Sequence, residues 1–158
     1  MALLIAPTDL HHYEVSGATL DDASSAMGED EDEAGLCSYE LSYGYGAVSR
    51  RGYPVRLRLS LLLTIDMPEW KERDAGTGPE QREWDRFYRV LLAHERGHSS
   101  RTRAETRRLF RRMRRTRVSD LDDVYQTGLE TIDEVNEAYD DATDHGLRPP
   151  PGTTIRIP

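Results

Sequence analysis

Cysteines, long apolar runs and internal repeats are scarce or absent in this sequence. Its one cysteine, Cys37, excludes an intramolecular disulfide, so the fold does not depend on an oxidising compartment. No apolar run approaches the length of a membrane-spanning helix, and we expect no membrane partner. The N-terminus lacks a basic region, and its apolar run, ALLIA, is too short for a secretory signal. We therefore expect a cytoplasmic location by default.

An excess of positive charge is lacking too. The formal net charge of -8 disfavours general attraction to nucleic acid or anionic membranes. Residues 101–117 are the exception, with nine arginines and a single acid, Glu105. This segment predicts either a polyanion-binding or nucleic-acid-binding helix or, more economically, a solvated face that pairs with the acidic residues that follow. We favour the second interpretation and expect nucleic-acid binding to be unlikely.

The hydrophobic patterns predict one domain of the α+β class over residues 1–158. The region 12–68 is β-rich, and leucines alternate with polar residues over 53–66, as in a half-buried strand that ends at Met67-Pro68. As an edge strand, this segment would be able to pair with an extended peptide. We expect a small antiparallel N-terminal sheet.

The second half of the chain predicts helices over 77–146, followed by a proline-rich tail over 147–158. TGPE at 77–80 and SDLD at 119–122 have the capping-box pattern, so each is expected to begin a long helix, and Gly146 supplies a stop. We expect the two helices to form a C-terminal hairpin against which the sheet packs. The first helix carries the HExxH sequence.

The segment HERGH at 94–98 has the HExxH spacing of zinc-dependent hydrolases. At about 100° per residue, His94, Glu95 and His98 continue the apolar stripe of a helix that begins with Trp84. Two imidazoles one turn apart can bind the same metal ion, and burying all three polar groups without a metal would be costly. We predict one zinc ion here; the alternative is a pair of histidines that share a helix by chance.

A catalytic zinc needs a third protein ligand. The metzincin spacing requires glycine at 101 and histidine at 104, where this chain has Arg101 and Ala104. His145, at the end of the second helix, is the stronger candidate because an antiparallel return brings it towards the first helix. Its alternative role is a C-terminal helix cap favoured by the helix dipole. The other candidates lie on the second helix: Glu130, Glu134 and Glu137.

Four segments together resemble a bacterial domain-of-unknown-function family of predicted secreted zinc-dependent proteases. They are YEVSGATL at 13–20, MPEW at 67–70, the W-x9-HExGH block at 84–98 and YDxxTxHG at 139–146. The resemblance implies zinc hydrolase chemistry, favours His145 as the third ligand and implies export. We expect no signal peptide in this chain, which would be a departure from the pattern, and its tail after Gly146 follows the pattern only loosely.

We expect zinc-dependent hydrolysis of peptide bonds in a protein or peptide substrate. Zinc lowers the pKa of a bound water to about 7, and Glu95 takes its proton and passes it to the leaving amine. Tyr139 is a candidate donor to the oxyanion, although core packing fits it too. Asp140, Asp144 and Glu105 are candidates to orient an imidazole N–H. The alternative is a catalytically inactive zinc-fold interaction module.

Overall fold

The computed structural model describes residues 1–27 and 34–144, and its fold is of the α+β class. The strands of these residues are β1 Ala2–Ile5, β2 Asp9–Val15, β3 Leu36–Gly44, β4 Ala47–Val48, β5 Pro54–Val55 and β6 Arg58–Trp70. The helices are α1 Leu20–Ala26, α2 Gly78–Met113 and α3 Leu121–Thr143. Two 3-10 turns, Arg73–Ala75 and Val118–Asp120, precede α2 and α3.

The sheet is partly parallel, so the prediction of an antiparallel sheet is wrong. Strand β6 pairs in parallel with β1, with Ala2 opposite Arg58, and with β2, with Asp9 opposite Thr64. Strand β3 also pairs with β6. Parallel partners need a long connection, and more than forty residues separate β2 from β6. Alternation along a strand indicates which face is buried but not the direction of its neighbour.

The strand predicted over 53–66 is divided at Arg56, whose φ of 57° lies in the left-handed region. Residues before it form β5, which pairs with β4, and residues after it form β6. The strand also continues past the predicted end to Trp70, with Pro68 opposite Tyr13. Because β6 is bonded to β1, β2 and β3, it is a central strand and not the peptide-accepting edge.

The start of α2 follows the sequence prediction. The Thr77 amide donates to Glu80 Oε2 at 2.9 Å, and the Glu80 amide donates to Thr77 Oγ1 at 3.4 Å, which is the reciprocal pattern of a capping box. The second predicted box is wrong: Ser119 lies inside a 3-10 turn and its hydroxyl donates to Asp120. The predicted stop at Gly146 lies outside the described residues.

Unit 1, one of two compact units, comprises residues 1–8, 38–63 and 98–139. Its core contains Leu57, which directly precedes β6, Leu59 of β6, and residues of α2 and α3: Leu109, Phe110, Met113 and Leu121. Gly128 permits close approach, since a Cβ there would lie 2.5 Å from Leu109 Cδ1. The Tyr125 hydroxyl donates to the Leu41 carbonyl at 2.6 Å, which joins α3 to β3.

Unit 2 comprises, among the described residues, 9–27, 34–37, 64–97 and 140–144. One of its cores contains Val15, Ala23, Trp70 and Trp84, with the two indole rings 5.9 Å apart. The Trp70 indole N–H donates to the Gly17 carbonyl at 2.8 Å. One core therefore contains Val15 of YEVSGATL, Trp70 of MPEW and Trp84, the tryptophan that precedes HExGH. The boundary between the units falls inside β6, α2 and α3, each of which is continuous.

Candidate metal centre

His94, Glu95 and His98 are buried on one face of α2, with 3%, 2% and 8% of their surfaces exposed. The same stripe continues with buried residues towards the end of the helix: Thr102, Glu105, Leu109 and Met113. The burial that helical periodicity predicts for this face is confirmed. Because α2 is one helix, the two imidazoles lie one turn apart on the same side.

In unit 2, both ring nitrogens of His94 face oxygen atoms of α3. Its Nε2 lies 3.1 Å from Asp140 Oδ1, and its Nδ1 lies 3.3 Å from Thr143 Oγ1. The Thr143 hydroxyl is also 3.4 Å from the Asp140 carbonyl. If Thr143 donates to that carbonyl, Nδ1 carries the ring proton. The Nε2 lone pair then faces a carboxylate oxygen, and either a proton or a metal ion between the two atoms makes this contact favourable.

In unit 1, Asn136 determines the tautomer of His98. The amide nitrogen of Asn136 donates to Thr102 Oγ1 and to the Ile132 carbonyl, both at 3.0 Å. Its oxygen therefore faces His98 Nδ1, 2.9 Å away, and must accept the proton of that nitrogen. In the neutral ring, the other nitrogen, Nε2, then carries the lone pair with which histidine binds a metal. Sequence reasoning missed Asn136, although it lies four residues before Asp140 on the same helix.

Tyr139 packs against His98 with its ring edge-on, the two centroids 4.9 Å apart, and 9% of the tyrosine is exposed. The Arg101 guanidinium lies 3.5 Å from the centre of the Tyr139 ring, a cation–π contact. These contacts hold the His98 ring in place, so the packing interpretation of Tyr139 has direct structural support.

Glu95 has a glycine beside it. A Cβ built on Gly35 would lie 3.0 Å from Glu95 Oε1 and 3.0 Å from Leu91 Cγ, so a larger residue at position 35 would crowd the carboxylate. Gly35 was not identified from the sequence, because its neighbour in space is distant along the chain.

The remaining predicted residues take other positions. Glu105 is buried but accepts a hydrogen bond from Arg108, so it is not shown orienting an imidazole. Asp144 is exposed and has a φ of 53°. The three alternative ligands on α3 are also exposed: Glu130, Glu134 and Glu137. His145 lies outside the described residues.

Most arginines of the segment 101–117 are exposed. Arg108, Arg111, Arg112 and Arg115 are exposed and line an open cleft of about 510 Å³. Arg108 forms an ion pair with Glu105, one turn away on the same helix. Arg103 instead donates to the Ala6 carbonyl at 2.9 Å and to Thr8 Oγ1 at 2.8 Å.

A family model of bacterial proteins of unknown function, DUF922, matches residues 10–146. The match spans most of the chain and includes both HERGH and YDDATDHG. The chain belongs to this family. Membership confirms the bacterial domain-of-unknown-function part of the resemblance, whereas the family description assigns no activity. No curated protein and no solved structure matches the chain.

Among the helices of residues 1–27 and 34–144, none has the length and apolar character that crossing a membrane requires.

Proposed function

We propose that this DUF922 chain is a zinc-dependent peptide hydrolase, formed as one domain, in which His94 and His98 bind the metal and Glu95 is the general base. The observation that carries the proposal is the burial of all three residues on one face of α2, with His94 Nε2 3.1 Å from a carboxylate oxygen. Two histidines and a glutamate at this spacing on one buried helix face match the arrangement in which zinc hydrolases place two metal ligands and a general base.

The donor set fits zinc. Each of His94, His98 and Asp140 offers one ligand atom. Zinc bonds of about 2.0–2.1 Å at tetrahedral angles separate two ligand atoms by roughly 3.3–3.5 Å. The 3.1 Å between His94 Nε2 and Asp140 Oδ1 is close to that separation. Asn136 directs the His98 lone pair to Nε2 through its bond to Nδ1, as outer hydrogen-bond partners of metal-binding histidines do.

Asp140 and His145 are the two candidates for the third zinc ligand, and substitution of each one distinguishes them. Asp140 is supported by its distance to His94, and His145 by the sequence and the family resemblance. If Asp140 binds the metal, Asp140→Ala will lower the zinc affinity as strongly as His94→Ala does. If His145 does, His145→Ala will have that effect, and Asp140→Ala will weaken binding only about 10–100-fold, as expected for a residue that orients a ligand.

The chain's own residues account for the proton transfers. A bound zinc supplies Lewis acidity, which lowers the pKa of water and polarises a carbonyl. Glu95, one position after His94, takes a proton from the attacking water and passes it to the leaving amine. Tyr139 positions the His98 ring, and we also propose its hydroxyl as a donor to the oxyanion.

The helix arrangement is part of the proposal. Contacts inside unit 1 pair His98 with Asn136 and Leu109 with Gly128, so residue numbers rise on α2 as they fall on α3. We propose that this antiparallel order continues along both helices as a hairpin. A hairpin would bring the end of α3 back towards the HERGH segment.

Zinc analysis and peptide hydrolysis test the function together. We expect one zinc per wild-type chain, no zinc in His94→Ala, and cleavage of a broad peptide library by wild type only. Arg89→Ala, an exposed change on α2, is the control and should retain both properties. Full zinc occupancy in His94→Ala would refute the metal site. Zinc binding with no Glu95-dependent cleavage would instead identify the inactive zinc-fold interaction module.

Polyanion binding is the second candidate, favoured by the solvated arginines that line the cleft on α2. It predicts binding to DNA, RNA or another polyanion that weakens steeply with salt. Absence of binding at low salt would dispose of this function.

A further inference from the structure

A cleft of about 540 Å³ lies in unit 1, apart from the HERGH segment, where the end of β3 meets the start of β6. Its lining includes Ser42, Gly44, Tyr45, Arg56, Arg58 and Ser60. Clefts of roughly 300–1,000 Å³ with a few convergent polar groups are typical of small-molecule sites. The two strands of the neighbouring β4–β5 hairpin are joined by hydrogen bonds, and the adjoining Gly46 amide donates to the Val55 carbonyl at 2.9 Å.

The cleft is positively charged in an acidic protein. Residues 41–65 contain four arginines and no acid, although the whole chain has 29 acids. Arg56 and Arg58 are both exposed, and in the part of the chain that the structure describes neither belongs to an ion pair. Two guanidinium groups beside one cleft, without a carboxylate between them, favour an anion as the occupant.

The backbone and the small side chains leave room for that anion. Ser42 and Gly44 occupy the exposed face of β3, and a Cβ on Gly44 would have nothing within 4 Å. The Arg56 stem lies beside Gly46 at one wall, since a Cβ on Gly46 would be 3.5 Å from Arg56 Cδ. Arg56 has the uncommon φ of 57°, a conformation that non-glycine residues adopt at a cost.

We propose that this cleft binds a small ligand that carries a phosphate group on a ring. Arg56 and Arg58 contact the phosphate oxygens, and the hydroxyls of Ser42 and Ser60 donate to the remaining ones, which matches the several acceptors of a phosphate group. The exposed ring of Tyr45 stacks on the ring of the ligand. The volume of the cleft exceeds what inorganic phosphate alone would fill.

Calorimetric titration of the full chain tests the site, with inorganic phosphate, glucose 6-phosphate, adenosine monophosphate and adenosine as probes. We expect one of the two phosphate esters to bind more tightly than inorganic phosphate, and adenosine to show no binding. Arg58→Met and Arg56→Met should each weaken ester binding at least about tenfold, since each removes a charge-assisted bond.

Two further variants distinguish binding in the cleft from non-specific attraction of anions to surface arginines. Gly44→Val fills open space without a backbone clash, so it should abolish ester binding while the melting temperature stays near that of wild type. Arg107→Met removes an exposed arginine of α2 that does not line the cleft, and it should bind as wild type does. The proposal is overturned if no probe binds at millimolar concentration, or if Arg107→Met weakens binding as much as Arg58→Met. Equal affinities for inorganic phosphate and both esters would overturn the claim that the ligand carries a ring.

Discussion

Replacing Asn136 with leucine tests the arrangement of His98 without touching a proposed ligand. Asn136 makes three bonds: to His98 Nδ1 at 2.9 Å, and to Thr102 Oγ1 and the Ile132 carbonyl at 3.0 Å. At about 1 kcal/mol for each bond, and less for a half-buried residue, the loss is about 2–3 kcal/mol of unfolding free energy. For a chain of this size that corresponds to roughly 4–12 °C in melting temperature without metal.

The same change should lower the zinc affinity about 10–100-fold, the usual effect of removing an outer hydrogen-bond partner of a metal-binding histidine. Leucine no longer fixes the proton on His98 Nδ1, so the ring can rotate or change tautomer. Competition with a chromogenic chelator measures the affinity, and differential scanning calorimetry of the metal-free protein measures stability.

Two variants make the Asn136 experiment decisive. Asn136→Asp keeps an acceptor for His98 Nδ1, so it should retain more zinc affinity than Asn136→Leu although it loses both donors. Gln126→Leu, an exposed polar-to-leucine change on α3, should alter neither quantity. Unchanged zinc affinity in Asn136→Leu, with the stability loss present, would refute the role given to the His98 tautomer.

Three further predictions use other parts of the structure. Gly128→Ala should destabilise the protein by about 1–3 kcal/mol in urea unfolding, because its Cβ would lie 2.5 Å from Leu109; no loss would show that the helices can separate. Glu95→Gln should retain zinc but lower the hydrolysis rate about 10²–10⁴-fold, and undiminished turnover would exclude it as the base. Hydrogen bonds from Thr77 lower the pKa of Glu80 below its usual 4.5, so its contribution is present above about pH 4.5 and is lost as the pH falls through the folded pKa. In Glu80→Gln, the fall of unfolding free energy with acid should therefore be shallower than in wild type, and identical slopes would contradict this.

Local patterns predicted the helices well. The capping box at Thr77 and Glu80 depends on residues three apart, and the burial of α2 depends on a repeat of 3.6 residues, so both are legible in the sequence. The direction of the strands next to β6 was mispredicted, because it depends on how distant segments meet. The interruption at Arg56 was missed for a related reason: a residue other than glycine in the left-handed region carries no compositional signal.

Around HERGH too, local spacing identified some residues, whereas those that act through distant contacts were missed. His94, Glu95 and His98 were identified from spacing alone, whereas Asn136 and Gly35 act through contacts with residues 38 and 60 positions away. The sequence alone does not distinguish Asn136 from any other helical asparagine; its role is visible only from its three hydrogen-bond partners. Asp140 was selected to orient an imidazole, and its 3.1 Å distance to His94 Nε2 makes it a candidate ligand as well.

The family segments outside HERGH have a structural explanation that bears on the metal centre. Trp84 belongs to the same helix as His94 and is fixed by the core that contains Val15 and Trp70. A helix is stiff, so Trp84, which is only 4% exposed, sets which side of the next three turns faces inward. The positions of His94 and Glu95 on the buried side follow from that anchor. A tryptophan ten residues before HExGH is thus informative because it sets the rotation of the helix, which the five letters of HERGH cannot specify by themselves.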